Sequence, residues 1–187
     1  IGMKTVAIGR SKPLRLTILL DNSGSMERED REATVLRAIE ALASKLGPQD
    51  EVTLLSFARN TRIVAQKVKG DKARSLVRIV RSIPSEGGTN LSRAIAQAHL
   101  IAQKGVTKNT MSRVVLITDG AANLGNADPE ELAKSIVTMR QNGIAFDACG
   151  VGADGLNDEM LETLTRKGDG RYYFINKAED ADSEFAQ

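Results

Sequence analysis

The chain has 187 residues, of which 41% are hydrophobic, so it is long enough to bury one substantial core. Its 26 Lys and Arg residues nearly balance its 24 Asp and Glu residues, and the net charge of +2 excludes a strong overall field that would recruit nucleic acid or anionic lipid. Aromatic residues make up only 3% of the chain, which also argues against base stacking. The single cysteine, Cys149, lies in an apolar run, so we expect a buried, reduced thiol and no internal disulfide.

Short apolar runs alternate with amphipathic segments along the chain. The runs predict a short leading strand at residues 6–10 and six further strands at residues 15–20, 51–57, 62–67, 113–118, 144–151 and 171–175. The amphipathic segments predict helices at residues 29–46, 72–83, 91–103, 129–142 and 157–166, with a last helix beginning at Glu179. Strands that alternate with helices of about 10 to 15 residues predict an α/β fold. We expect a doubly wound, Rossmann-like and mostly parallel six-stranded sheet, with one antiparallel edge strand at 62–67 and helices on both faces.

The domain boundaries follow from the same pattern. Residues 1–10 are interpreted as a leading strand or the end of a preceding region, and residues 11–187 as one domain. The polar residues 179–187 leave open that the natural protein continues beyond this segment. The segment has neither a basic and apolar leader nor a run of about 18 apolar residues, so we expect no membrane insertion within it.

A cluster of oxygen donors follows the first central strand. Asp21, Ser23 and Ser25 alternate with Asn22 and Gly24 at the predicted carboxyl end of that strand, which is where ligands bind in open α/β sheets. One carboxylate and two hydroxyls can converge on a small cation, and Gly24 is expected to allow a sharp turn between the serines. The cluster predicts a Mg²⁺ or Mn²⁺ site.

Two more loops carry oxygen donors that point to the same edge. Thr89 lies in a Gly-Gly-Thr-Asn loop before a predicted helix, and Asp119 ends the strand at 113–118. If the strands ending at Asp21 and Asp119 are neighbours where the winding of the sheet reverses, all three loops open onto one crevice. A donor set without His or thiolate excludes a zinc-type site and favours Mg²⁺ or Mn²⁺.

Simpler interpretations of these residues remain open at this point. The first cluster alone is typical of a turn with an N-cap serine, and Thr89 alone can be the N-cap of the following helix. A further acidic group raises the alternative of Ca²⁺, but its spacing does not follow an EF-hand loop and favours a solvated surface. That group consists of Asp147, Asp154, Asp158, Asp180, Asp182 and Glu184.

The order Asp21-x-Ser23-x-Ser25, then Thr89, then Asp119-Gly120 resembles the metal-ion-dependent adhesion site (MIDAS) of von Willebrand factor type A (VWA) domains. The similarity covers residues 15–175, all five site positions match, and the flanking strands resemble the bacterial members. The resemblance implies that Ser23, Ser25 and Thr89 are direct ligands and that Asp21 and Asp119 act largely through water. A Glu or Asp of a partner would complete the coordination shell.

The resemblance implies a protein–protein interaction domain, of the adhesion or adaptor kind, that is not an enzyme. Mg²⁺ or Mn²⁺ is the expected ion, with Ca²⁺ possible, and the partner is a protein presenting Asp or Glu rather than a nucleic acid. We expect a monomeric domain of a larger bacterial protein, in the cell envelope or outside the cell rather than in the cytosol. Whether the last helix moves when a ligand binds stays open.

A metal-dependent hydrolase or phosphoesterase of similar topology is the alternative. Its chemistry needs a poised general base, and no histidine lies near the cluster in sequence. The chain also lacks a Gly-x-Ser-x-Gly elbow and a phosphate-binding P-loop, and position 23 is Ser where a phosphatase would need a second aspartate.

Overall fold

A six-stranded sheet forms the centre of the domain in the computed structural model, which describes residues 12–119, 128–152 and 158–185. The strands are β1 (Leu14–Asp21), β2 (Glu51–Phe57), β3 (Thr61–Lys69), β4 (Met111–Thr118), β5 (Ile144–Val151) and β6 (Tyr172–Ile175). Their order is β3-β2-β1-β4-β5-β6, and every neighbouring pair is parallel except β2 with β3. The predicted doubly wound sheet with one antiparallel edge strand is therefore confirmed. The predicted leading strand at 6–10 lies outside the described residues.

Six α-helices flank the sheet in the described residues, and short 3₁₀ turns join some of them to the strands. The helices are α1 (Glu29–Ser44), α2 (Leu76–Arg81), α3 (Leu91–Gln103), α4 (Pro129–Gln141), α5 (Asp158–Lys167) and α6 (Ala181–Phe185). The 3₁₀ turns are Gly24–Glu27, Gly70–Ser75 and Ala178–Asp180. None of these helices is both long enough and apolar enough to cross a bilayer.

The predicted helix at 72–83 is only partly α-helical. Its first turns form the 3₁₀ segment Gly70–Ser75, and α2 covers only Leu76–Arg81. Pro84 accounts for the early end, because a proline disfavours helical geometry at the residue before it. The helix predicted at 29–46 likewise ends at Ser44, shortly before Gly47 and Pro48.

The central strands are buried on both faces, as their continuous apolar sequences predict. In β1, Ile18 and Leu20 pack into the core beneath α1 and α2, while Leu19 packs into the opposite core beneath α3 and α4. The second core continues through Leu116 and Phe146. The winding reverses between β1 and β4, where Leu20 pairs with Ile117. The carboxyl ends of these two strands therefore meet at one edge of the sheet.

Candidate metal site

Asp21 lies at this edge, where both oxygens of its carboxylate accept hydrogen bonds. The backbone N–H of Ser23 donates to Oδ1 at 2.8 Å, and the Thr118 hydroxyl donates to Oδ2 at 2.7 Å. The side chain is 3% exposed, and burial raises the pKa of Asp21, with the neighbouring negative charge of Asp119 adding to the effect. The two hydrogen bonds oppose that shift because they stabilise the charged form. Asp21 is thus held in one orientation by the loop it begins and by the adjacent strand.

The two serine hydroxyls of the first loop are close neighbours. Ser23 Oγ and Ser25 Oγ are 3.2 Å apart. Adjacent oxygens in an octahedral Mg²⁺ shell, each about 2.1 Å from the ion, are about 3.0 Å apart, so this spacing fits two direct ligands. The backbone begins a 3₁₀ turn after Ser23, and Gly24 does not adopt a positive φ. A tight turn between the serines is thus present as a 3₁₀ turn that begins at Gly24, but its backbone angles do not require glycine.

The loop that carries Thr89 is bound to the first loop along its backbone. Asn22 accepts a hydrogen bond from the Glu86 N–H at 3.1 Å, and its side-chain amide donates to the Pro84 carbonyl at 2.9 Å. Ser23 and Glu86 also form a parallel β-bridge. These contacts hold the Gly-Gly-Thr-Asn loop beside the serine loop.

Thr89 itself is not the N-cap of α3. Asn90 takes that position, and its side chain accepts a hydrogen bond from the Arg93 N–H at 3.1 Å. Within the described residues, no hydrogen bond uses the Thr89 hydroxyl, and the side chain is partly exposed. The Asn90 N–H donates to the Ala58 carbonyl at 2.8 Å, which anchors the end of the loop to the turn after β2. The hydroxyl therefore stays available to a ligand at the edge of the sheet.

Asp119 is paired with an arginine that the sequence analysis did not single out. Arg31, in the first turn of α1, forms an ion pair with the Asp119 carboxylate and donates to the Ser25 carbonyl at 2.9 Å. Both side chains are almost completely buried, at 6% exposed for Arg31 and 1% for Asp119. The sequence did contain one indication that Arg31 is buried. It lies four and eight residues before Val35 and Ile39, which places it on the apolar face of the helix.

The charges at the site are therefore partly balanced. Asp21 and Asp119 contribute two negative charges, and Arg31 contributes one positive charge. Among the residues that the structure describes, no three His, Cys, Asp or Glu side chains lie together as metal ligands do. A dication at this edge would consequently need hydroxyl ligands, which Ser23, Ser25 and Thr89 offer. The donor set fits a hard ion such as Mg²⁺ or Mn²⁺.

A cavity of about 490 Å³ opens beside the first loop, between α1 and α2. Its lining includes the polar residues Asp21 and Ser23, the apolar residues Met26, Val35 and Ile83, and the charged residues Glu27, Glu32 and Arg81. Met26 is 8% exposed and belongs to the core beneath α1. The candidate site thus continues into a mixed polar and apolar recess.

Among the described residues, the other acidic residues singled out in the sequence form no second metal-binding cluster. Asp147 was expected on the surface, and this expectation is wrong. The residue is buried, and its carboxylate accepts two hydrogen bonds of 2.7 and 2.9 Å from Arg113. Asp182 pairs with Arg37, and Asp158 accepts a hydrogen bond from Tyr172. Burial is the largest cause of the raised pKa of Tyr172, and the hydrogen bond to Asp158 and the negative charge of Asp158 raise it further. These carboxylates are used to join neighbouring elements; Asp154 lies outside the described residues.

A doubly wound sheet with hydroxyl- and carboxylate-bearing loops at its switch point defines a class of α/β domains that bind at the carboxyl edge of the strands. The chain belongs to the von Willebrand factor type A family, because the model of the von Willebrand factor type A domain matches residues 16–187. The resemblance seen in the sequence is confirmed at the level of the family.

Individual relatives are distant in sequence. The protein YfbK of Escherichia coli K12 is 28% identical over 166 residues, a match that covers 89% of this chain and 29% of that protein. The chain spans less than half the length of the first curated relatives it matches. A von Willebrand factor type A structure from Catenulispora acidiphila superposes with a TM-score of 0.78 at 20% identity, covering 93% of this chain and 41% of that one. The manganese-loaded TRAP protein of Plasmodium vivax gives a TM-score of 0.71 at 18% identity, covering 93% and 72%. The two structures share the fold of this chain.

Proposed function

We propose that this domain binds another protein through a divalent cation at the carboxyl edge of β1 and β4. Mg²⁺ or Mn²⁺ is the expected ion, and an Asp or Glu of the partner completes its coordination shell. The proposed ligands, direct or through water, are Asp21, Ser23, Ser25, Thr89 and Asp119. The observation that carries the proposal is the pair of serine hydroxyls 3.2 Å apart beside two buried carboxylates.

The balance of charge supports the capture of an acidic partner. When bound, the dication supplies a positive centre that accepts an anionic oxygen in place of water. Asp21 and Asp119 would neutralise two charges, but Arg31 restores one of them, so the site as a whole stays positive. A carboxylate from outside is then attracted more strongly than a neutral group.

The relatives support the same interpretation. The TRAP protein, which has this fold, is described as manganese-loaded, and a further neighbour in structure is the pilus adhesin SpaC of Lactobacillus rhamnosus GG. A metal and an adhesive role are thus compatible with the architecture of this chain. The whole protein's partners, the envelope or extracellular location and the single-domain range 11–187 stay predictions.

Hydrolysis is less well supported by the described residues. A general base must lie within hydrogen-bond reach of the water it activates. The single histidine, His99, lies on α3 and contacts the Asn142 side chain at 2.9 Å instead. The carboxylates of Asp21 and Asp119 are already held by Thr118 and Arg31. These contacts favour a binding role over a catalytic one.

The proposal can be tested with Mn²⁺ as a paramagnetic probe. We expect Mn²⁺ to bind the wild-type domain and enhance the relaxation of water protons, and a peptide with a single Asp to reduce this enhancement by displacing bound water. The matched peptide with Asn should have no such effect. The Ser23→Ala/Ser25→Ala variant should lose the Mn²⁺ signal, whereas Ser82→Ala, directly after α2, should keep it. Mn²⁺ binding that is equal in both variants, or peptide binding that is equal in EDTA and in Mn²⁺, would overturn the proposal.

A further inference from the structure

The positive charge of this nearly neutral chain is concentrated in one segment. Residues 62–81 contain seven basic residues and one acidic residue, Asp71, which leaves 19 basic and 23 acidic residues for the rest of the chain. All seven basic side chains are exposed. They are Arg62, Lys67, Lys69, Lys72, Arg74, Arg78 and Arg81. This segment comprises most of the edge strand β3, the 3₁₀ turn after it and α2. A strongly basic region therefore lies at the β3 edge of the sheet, although the net charge of the chain is small.

Three of these arginines form a stripe along the 3₁₀ turn Gly70–Ser75 and α2, which we call the arginine stripe. Arg74, Arg78 and Arg81 are four and three residues apart, a spacing that places side chains on one face of a helix. The opposite face buries Ala73 and Leu76 in the core. No ion pair within the described residues involves the three arginines. Their charges are thus unbalanced by local acidic partners.

The arginine stripe leads to the candidate metal site. Arg81 lines the same cavity as Asp21 and Ser23. Arg62, on β3, pairs with Glu86 at 2.6 Å, next to the β-bridge between Glu86 and Ser23. The stripe and the site are consequently parts of one continuous surface.

We propose that the arginine stripe binds an acidic segment of the partner protein that extends from the residue held at the metal site. The inference rests on the proposed function and specifies the partner further. The stripe runs from Arg74 to Arg81, which is seven residue steps or about 10 to 14 Å at a rise of 1.5 to 2.0 Å per residue. An extended peptide covers about 3.3 Å per residue, so three or four residues of the partner span this length. The partner motif is then one metal-binding carboxylate, a short stretch that crosses the cavity, and acidic residues spread over three or four positions beyond it.

The shape of the surface favours a peptide over an anionic membrane. The cavity between α1 and α2 is recessed, and its wall combines Met26, Val35 and Ile83 with polar groups. The lining also includes the carboxylates of Glu27 and Glu32, so a neutral part of the peptide is expected to cross the cavity and its acidic residues to lie at the arginines. An extended peptide can place a side chain into such a recess while its flanking acids contact the arginines. A planar lipid surface cannot reach into it. Charge complementarity also increases the rate of encounter, which makes the stripe a steering surface for the metal site.

The test compares matched charge reversals on the two sides of the sheet. The stripe variant is Arg74→Glu/Arg78→Glu/Arg81→Glu. The control, Lys134→Glu/Arg140→Glu/Lys167→Glu, changes the net charge equally on exposed positions of α4 and α5. The probe is a fluorescein-labelled dodecapeptide with five consecutive acidic residues, whose anisotropy is measured at low salt in Mg²⁺ and in EDTA. Circular dichroism melts verify that each variant is folded.

We expect the stripe variant to weaken peptide binding about tenfold or more in both Mg²⁺ and EDTA, and the control about twofold or less. Binding to the wild type should also fall more steeply with added salt than binding to the stripe variant. An equal loss in the two variants, or no binding of the peptide to the wild type, would overturn the inference. So would stripe-dependent sedimentation with vesicles of phosphatidylcholine and one-quarter phosphatidylserine in the absence of peptide binding. If the stripe effect occurs but neither Mg²⁺ nor Ser23→Ala/Ser25→Ala changes binding, the proposed metal-dependent function fails while the basic docking surface stands.

Discussion

Replacing Arg31 with Met tests how the candidate site balances its charges. The Arg31 side chain is 6% exposed and that of Asp119 is 1% exposed, so the change removes a positive charge that is paired with a buried carboxylate. Removing one partner of a buried ion pair costs about 3 to 5 kcal/mol. In a domain of this size each kcal/mol lowers Tm by about 2 to 4 °C, so we expect Arg31→Met to melt roughly 6 to 20 °C below the wild type in EDTA.

Magnesium should reverse much of this loss. Without Arg31, the two carboxylates of the site are no longer partly neutralised, and a dication is attracted more strongly. Arg31 carries a unit positive charge that repels a bound dication. At a separation of about 7 Å and an effective dielectric constant of about 20 to 40, removing this charge lowers the repulsion by roughly 2 to 5 kcal/mol. Because an ion that binds only the folded state stabilises it, the increase in Tm on adding Mg²⁺ should be larger for Arg31→Met than for the wild type.

Thermal melts followed by circular dichroism, in EDTA and at increasing Mg²⁺, measure both effects. The control is Arg37→Met on the same helix, whose contacts with Glu40 and Asp182 lie at the surface. This variant should melt close to the wild type, and Mg²⁺ should shift both alike. The reasoning is refuted if Arg31→Met is as stable in EDTA as Arg37→Met, or if Mg²⁺ stabilises it less than the wild type.

Three further predictions concern the rest of the fold. Cys149 is fully buried, and burial raises the pKa of its thiol. It should therefore not react with a disulfide reagent at pH 8 until guanidinium unfolds the chain. Rapid labelling of Cys149 in the folded protein would contradict this placement. Gly170→Ala should lower the free energy of unfolding in urea by about 2 to 4 kcal/mol, because the new Cβ would lie 1.9 Å from the Phe146 carbonyl oxygen. Gly24→Ala, which meets nothing within 4 Å, should cost no stability, and equal effects of the two substitutions would argue against the close approach. Asp50→Ala should lose about 2 to 5 kcal/mol, because the Asp50 carboxylate accepts hydrogen bonds from the N–H groups of Leu14 and Gly47, and a loss below about 1 kcal/mol would contradict this role.

The sheet was predictable because its central strands are continuous apolar runs. Residues 15–20 and 113–118 are almost free of charged side chains, which is typical of strands covered by helices on both faces. That pattern also predicted which ends of the strands carry Asp21 and Asp119. The pairing of β1 with β4 then followed from the reversal of winding in a doubly wound sheet.

The buried ion pairs could not be predicted in the same way. Arg31 looks like an ordinary charged residue at the start of a helix, and its partner Asp119 is 88 residues further along the chain. Asp147 resembled a surface carboxylate, but its partner Arg113 lies on the neighbouring strand β4. Such pairs depend on how strands and helices are juxtaposed, which local periodicity does not encode. The short α2 depends similarly on the 3₁₀ turn that connects it to β3.

The most direct test of the central claim is a crystal of the domain soaked in MnCl₂, with data collected at the manganese absorption edge. We expect one strong anomalous peak at the carboxyl edge of β1 and β4, with Ser23 Oγ, Ser25 Oγ and Thr89 Oγ1 at ligand distance and Asp21 and Asp119 bound directly or through water. A peak elsewhere on the domain, or a peak at this edge without the serine hydroxyls in its coordination shell, would contradict it.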